Sequence, residues 1–371
     1  MNYFLLKHKY FKLSFKVITS VTFSSLFLIF GIAKNTPAQD LLEQLDVNPP
    51  IDFDLENQLN INPRINFDLD IRNNADQQIQ LGLQALEVGN LDQTLNYWLE
   101  ALALYESIPD LDGIGKASQY LGGLYVELGD FALAENSMRR RLAITRGRGD
   151  QYRQIHSLNN LGTLLLEMGR NFEEIDELFT EALEISEEVD DVSGIGLSLN
   201  NLGRLAYFQG DYIKAIDFYQ SAIPYRYEAN DTIGQANTLN NLGDAYQEIQ
   251  EYWESISSYR RGKVAAETVG ELNNQYRALE GISESFGALG FHNRAFTFLN
   301  QWVNLAIATQ NARQQLKAIG LSAYFYGELG DKNNASIFYE QAIELATALG
   351  ADQEVALLKN QYSQAIYGDR Y

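Results

Sequence analysis

From Gln80 onward the order of apolar, small and polar positions repeats itself. The repeated phrase is clearest in Asn159-Asn160-Leu161-Gly162, Asn200-Asn201-Leu202-Gly203 and Asn240-Asn241-Leu242-Gly243. With its glycine as the anchor, equivalent positions fall at Gly82, Gly122, Gly162, Gly203, Gly243, Ser283 and Ala323, at spacings of 40, 40, 41, 40, 40 and 40 residues. Near-equal periods of this length mean stacked copies of one supersecondary unit. Seven residues after the anchor stand Gly89, Gly129, Gly169, Gly210, Gly290 and Gly330, with Gln250 the exception. An Asn or Asp often follows: Asn90, Asp130, Asp211 and Asp331. Glycine can take the left-handed conformation that ends a helix, and Asn or Asp accepts from the amides that open the next. The unit is therefore helix, tight turn, helix. In the 41-residue copy the extra Arg170 moves the cap to Asn171 and the aromatic after it to Phe172, as a real turn requires.

Packing positions follow at fixed offsets. Twelve after the anchor the residue is small (Thr94, Ala134, Ala215, Ser255, Ala295, Ala335), and sixteen after it is bulky (Trp98, Met138, Tyr219, Tyr259, Leu299, Tyr339). Small residues let two helices approach, and bulky ones are expected to fill the space toward the neighbouring unit. At nineteen, Ala101, Ala222 and Ala342 repeat the close approach, whereas Arg141, Gly262 and Trp302 break it and predict irregular packing there. The stripe Tyr125, Tyr246, Phe286 and Tyr326 reads as inter-helix core.

The residues before the array read differently. Lys7 to Lys16 form a basic stretch, Val17 to Ala33 an apolar run diluted by five hydroxyls, and Thr36-Pro37-Ala38 a cut site before Gln39. That is the layout of a secretory signal peptide. An uncleaved inner-membrane anchor through residues 17–33 is the alternative. Residues 39–74, with eight acids and three prolines, read as an extended acidic linker. In it Asn48-Pro49-Pro50-Ile51-Asp52-Phe53-Asp54-Leu55 is echoed by Asn62-Pro63-Arg64-Ile65-Asn66-Phe67-Asp68-Leu69, each copy alternating with the period of a strand. The expected order is a signal peptide (1–38), a linker (39–74), a seven-repeat array (75–365) and a tail (366–371).

Composition narrows the function. There is no Cys among the 371 residues, which excludes disulfides and thiolate chemistry, and a bacterial cell envelope suits an exported chain of this kind. A net charge of −21 excludes attraction to nucleic acid or anionic lipid by charge alone. His156 and His292 fall about three repeats apart, and no phosphate-binding loop or nucleophile elbow is present, so no catalytic residue, metal or cofactor is expected.

The small, glycine, aromatic, glycine, alanine, aromatic, alanine pattern resembles the tetratricopeptide repeat, in the 40-residue variety of kinesin light chain and bacterial multi-repeat proteins. The resemblance implies an all-α, right-handed superhelical solenoid of about seven helix-turn-helix units, whose concave wall is built from the first helix of each. In the family that wall takes peptides or helices, often through asparagine two before the anchor. Here that position holds Asn160, Asn201 and Asn241, flanked by Asn159, Asn200 and Asn240, with Arg204 and Asp244 just after the anchor. A carboxamide both donates and accepts, so the ladder suits a peptide backbone. Equally, each asparagine could bond within its own helix pair. The family's carboxylate clamp is poorly matched, since no cation stands three before any anchor. Glu87, Glu127, Glu167, Glu248 and Glu328 give the groove an acidic edge that favours a neutral or basic peptide. Arg139, Arg140, Arg141, Arg146 and Arg148 suit the dipole at the end of a second helix. The expected function is a non-catalytic scaffold or adaptor in the periplasm or outside the cell. Its partner is a protein or peptide segment, with no nucleic acid and, after signal removal, no membrane. The alternative is an architectural spacer without a groove ligand.

Overall fold

Each turn glycine takes the conformation that the repeat requires. Gly89, Gly129, Gly169, Gly210, Gly290 and Gly330 have φ between 62° and 82°, where a Cβ is unfavourable. The following side chain then accepts from an opening amide: Asn90 from Gln93, Asp130 from Leu133, Asn171 from Glu173, Asp211 from Lys214 and Asp331 from Asn334. Asn171 caps in its displaced position, so the turn moved with the insertion. Gln250 is driven to φ 65° by the same geometry although it carries a side chain.

The computed structural model describes residues 63–368, whose regular structure is fifteen α-helices and no strand. The first helices of the seven pairs are α1 (Pro63–Glu87), α3 (Leu111–Leu128), α5 (Gln151–Glu167), α7 (Val192–Phe208), α9 (Thr232–Glu248), α11 (Leu272–Ala288) and α13 (Ala312–Glu328). Their partners are α2 (Leu91–Ser107), α4 (Phe131–Arg148), α6 (Phe172–Glu188), α8 (Tyr212–Glu228), α10 (Tyr252–Val269), α12 (His292–Ala308) and α14 (Lys332–Ala348). A single helix, α15 (Asp352–Tyr367), follows. The chain divides into two compact units, the first ending at Asn201 and the second beginning at Leu202, within α7. In the first unit the consecutive helices α1 to α6 pack on one another in turn, and in the second the consecutive helices α8 to α15 do so. Successive first helices also touch, α1 with α3 and α9 with α11, α13 and α15 in turn.

Within a pair the bulky residue lies on its own anchor glycine. Trp98 covers Gly82, Met138 covers Gly122, Phe179 covers Gly162, Tyr219 covers Gly203 and Tyr259 covers Gly243. A methyl at Gly162 would stand 2.5 Å from the Phe179 ring, and one at Gly243 2.8 Å from Tyr259. The ring therefore fills its own pair first, where the sequence suggested the space toward the neighbour. Tyr259 does both, since it also covers Gly281 of the next pair. Thr94, Ala134, Ala215, Ser255, Ala295 and Ala335 are completely buried between the paired helices. The three irregular positions find substitutes. Arg141 Nε donates to Ser157 Oγ at 3.1 Å, Trp302 Nε1 donates to Gln314 Oε1 at 3.0 Å, and Gly262 makes room for the Asn240 carboxamide. In the aromatic stripe, Tyr125 and Phe286 are buried and Tyr326 stacks on Phe296 at 4.2 Å, as core residues do.

The linker ends earlier than its composition implied. α1 begins at Pro63, so residues 63–74 are helical, and the second echo copy is a helix from Pro63 onward instead of a strand. Proline is well placed in a first turn, where its missing N–H is not needed. The buried row Ala75, Ile79 and Leu83, at four-residue steps, continues the helix toward the array, and Arg72 Nε meets Asp110 Oδ2 at 3.2 Å. α15 likewise runs two residues into the expected tail. The signal peptide, residues 39–62 with Asp52 and Asp54, and residues 369–371 lie outside the described residues. On the outward side of α1, Asn74, Gln77 and Gln84 are exposed where α3 carries buried Ile114, Ala117 and Leu124, and Phe67, one heptad before Asn74, is exposed as well.

Gln250→Gly removes a side chain from a left-handed position, which costs about 1 kcal/mol for a non-glycine residue. The variant is expected to melt a few degrees above the parent, and Gly210→Ala a few degrees below, both read by thermal circular dichroism.

Candidate functional site

In the first unit the asparagines of α5 and α7 are mostly turned inward. Asn159, 1% exposed, donates from Nδ2 to the Ile155 carbonyl and to Ser198 Oγ, both at 3.0 Å, and accepts from Asn201 Nδ2 at 2.9 Å. Asn200 Nδ2 in turn donates to Asn201 Oδ1 at 3.3 Å. These carboxamides tie α5 to α7. Asn160 differs in being half-buried, at the rim of the wall beside Gln119.

The second unit uses the same chemistry. Asn240, completely buried, donates to the carbonyl and Oδ1 of Asn274 at 3.0 Å each, and Asn274 Nδ2 donates to Asn237 Oδ1 at 2.9 Å. Asn241 Oδ1 accepts from Arg277 Nη2 at 2.7 Å. The structure thus places Asn159, Asn200, Asn201, Asn240 and Asn241 in buried ties. Asn is a poor helix former, and here bonds within its own helix (Asn159 to Ile155, Asn200 to Asn201) are joined by bonds to the neighbouring first helix.

Around Asn241 stands a group that the sequence indicated only in part. Arg277 also ion-pairs with Asp244, and Asp244 accepts from the Tyr259 hydroxyl. Tyr259 Oη lies 3.2 Å from Gln247 Oε1, and Gln247 Nε2 donates to the Gly281 carbonyl at 3.0 Å and to Ser285 Oγ at 2.8 Å. Burial alone would lower the Arg277 pKa, but Asp244 outweighs it and holds the guanidinium charged. Burial, then Asp244, pushes the Tyr259 hydroxyl well above its ordinary value. Tyr207, which donates to Glu248 Oε1 at 3.2 Å, is raised in the same way by burial and then by Asp244 and Glu248. Arg204 is half-buried on α7, its charge acting on the buried Tyr219. The first unit has a counterpart, where Asp76 Oδ1 accepts from Tyr105 Oη at 2.6 Å and from Lys116 Nζ at 3.2 Å.

Lys116, Arg277 and the exposed Lys317 all stand six before an anchor. Sequence reasoning looked for cations three before it and missed them. One helical turn earlier is the same face, and that spacing was the available signal. Of the acidic edge, Glu127, Glu167 and Glu248 are half-buried while Glu87 and Glu328 are exposed. The arginine cluster of α4 is largely matched by carboxylates, Arg139 by Glu135 and Glu174, Arg140 by Glu106, Arg146 by Glu181 and Arg148 by Asp112. Among the described residues no cluster of His, Asp and Glu is arranged to hold a metal ion.

Residues 153–228 and 316–348 match models of the tetratricopeptide repeat. The chain carries tetratricopeptide repeats. No curated protein matches the sequence. Among solved structures, these tetratricopeptide repeats resemble a signal transduction ATPase with numerous domains, which has a tetratricopeptide repeat sensor, from Pyrococcus horikoshii, with TM-score 0.61 and 16% identity over 94% of this chain and 53% of that one. The apo quorum sensor NprR from B. thuringiensis gives TM-score 0.57 and 14% identity over 93% of this chain and 94% of the other. A Rap protein complexed with Competence and Sporulation Factor gives 0.52 and 15%, over 85% and 92%. The chain spans about half the length of the first of these, and at such identities the likeness establishes the fold alone.

Asp244→Ala leaves Arg277 without its counter-charge. With side-chain exposures of 28% and 30%, the loss is expected to be about 2 kcal/mol, below the roughly 3 to 5 of a fully buried pair. A double-mutant cycle with Arg277→Met in urea melts measures it. The raised tyrosines also set an alkaline limit. Tyrosine in the unfolded chain ionises near pH 10 whereas Tyr207, Tyr219 and Tyr259 stay protonated when folded, so stability is full below about pH 10 and falls as pH rises above it. Melting temperatures at pH 9, 10 and 11 are expected to decline steeply over the last step.

Proposed function

We propose that the first-helix wall of these repeats holds a peptide or helical segment of a partner protein, and that the chain is a non-catalytic scaffold. One arrangement supports this reading. On the first helices α9 and α11, Asp244 and Arg277 fix one another in an ion pair while keeping side-chain exposures of 28% and 30%. Side chains fixed in advance lose little entropy when a ligand arrives. The glutamates near the ends of the first helices favour a neutral or basic segment. The Rap protein complexed with Competence and Sporulation Factor lends the reading an analogy of fold.

A second reading, an architectural spacer with no ligand on this wall, draws on the buried asparagine ties, which show that much of the Asn-Asn-Leu-Gly phrase serves packing. We further propose export to the bacterial envelope, supported by the basic and apolar run before Thr36-Pro37-Ala38. No helix among the described residues is long and apolar enough to cross a membrane.

A photo-crosslinking residue placed in the full chain at Asn160 or Lys317 on the first-helix wall, or at Arg261 on α10, separates the two readings. A partner crosslinked at the first two positions and absent at the third is the expected result, and equal yields at all three would favour the spacer. N-terminal sequencing of the mature protein is expected to begin at Gln39.

A further inference from the structure

Two neighbouring turns break the pattern that the others keep. At the cap position, where Asn90, Asp130, Asn171, Asp211 and Asp331 accept from an opening amide, α10 has Glu251 and α12 has Phe291, and neither side chain does so. A missing cap bond costs stability, and natural chains break such local rules chiefly at functional or strained sites. What these two turns gain is an aromatic surface. Trp253, 49% exposed, has its ring centroid 5.6 Å from that of Phe291, 44% exposed, and stands edge-on to the buried Phe286 at 6.1 Å. The Arg294 guanidinium lies over Phe291 at 5.5 Å and over Phe286 at 5.7 Å. Among the described residues no carboxylate is paired with Arg294, unlike Arg139, Arg140, Arg146 and Arg148. Large exposed apolar groups gathered in one place mark an interaction surface.

The chain's own sequence contains a match. Asn48-Pro49-Pro50-Ile51-Asp52 holds its one pair of adjacent prolines, with an acid two residues on. We propose that the edge formed by Trp253, Phe291 and Arg294 docks this segment from a second copy of the chain, the prolines lying on the two rings and Asp52 pairing with Arg294. Proline rings pack on aromatic faces, and adjacent prolines favour the polyproline conformation beforehand, so little entropy is lost on docking. The spacing fits. Trp253 to Phe291 and Phe291 to Arg294 are steps of 5.6 and 5.5 Å, and three residues of a polyproline helix, from Pro49 to Asp52, advance about 9 Å. The echo in the sequence draws the same distinction. Asn62-Pro63-Arg64-Ile65-Asn66 carries Arg64 and Asn66 in place of Pro50 and Asp52, and from Pro63 onward it is part of α1. The residues that meet the aromatic edge are the ones that the folded echo lacks. Each chain offers one segment and one edge, so copies join through unlike surfaces. The edge lies at the turns that join α9 to α10 and α11 to α12, and its role does not depend on what the first-helix wall binds.

A photo-crosslinking residue in place of the exposed Asn293, between Phe291 and Arg294, reports the occupant. The purified full chain carrying it, at natural isotope abundance, is irradiated with an excess of unmodified chain labelled with 15N. The expected product joins position 293 to 15N-labelled residues 48–56, with a yield that rises with the concentration of labelled chain. Arg294→Gln, at an exposed position where folding is little affected, should weaken the association about tenfold, the loss of one charge-assisted hydrogen bond. Arg294→Asp should abolish the product and Asp52→Arg in the labelled chain should restore it, a rescue that a misfolded variant would not give. In sedimentation velocity the mass of the unmodified chain is expected to rise above that of one copy as concentration increases. Pro49→Ala combined with Pro50→Ala should hold it at one copy. A product formed with unlabelled residues 48–56 alone assigns the segment to its own chain and overturns the association. A product with any other segment, or a yield indifferent to the charge exchange, overturns the docking.

Discussion

Both units depend on how closely the two helices of a pair approach, and that distance is set where a large side chain of one lies on bare backbone of the other. Phe179 on Gly162 and Tyr259 on Gly243 leave no room for a methyl group. Burying a side chain of that size contributes about 2 to 3 kcal/mol, and the fit of ring to glycine also fixes how the pair is oriented. The turn then has only to join two helices already positioned. This is why Gln250 can stand where glycine usually does, and why an inserted Arg170 shifts one cap without disturbing the packing.

On top of that apolar frame lies a polar one that joins neighbouring first helices. Carboxamides bridge α5 to α7 and α9 to α11, and in each unit an Asp, a Tyr from a second helix and a cation from the following first helix meet at one point. Buried polar groups are costly unless every member has a partner, so such a network rewards one register of the stack over others. The same network brings ionised side chains to the surface in fixed positions. Packing and recognition are thus served by adjacent atoms of the same few residues, and a substitution made to probe one will often disturb the other.

What was legible in the sequence divides along a physical line. Helix, turn and cap followed from glycine, Asn and Asp at constant offsets, because those effects are local to a few residues. The start of α1 was not legible, since Pro63 with acidic neighbours reads as linker until Arg72 and the row Ala75, Ile79 and Leu83 are seen to engage the next helix. The asparagines were recognisable as a ladder, but whether a carboxamide faces inward or outward depends on groups some 40 residues away, such as Ser198 for Asn159 and Asn274 for Asn240. Arg277 was missed for a related reason, as its meaning comes from Asp244, 33 residues earlier.

The exposed amides of α1 bear on how a stack of repeats can end. A stack of like repeats is open-ended by construction, and if its first surface matched its internal surfaces, a second molecule could dock there head to tail and the contact would propagate as a fibre. Asn74, Gln77 and Gln84 interrupt that match with side chains that keep their water. Three amides on the first helix thus break the likeness of surfaces on which such head-to-tail growth would depend.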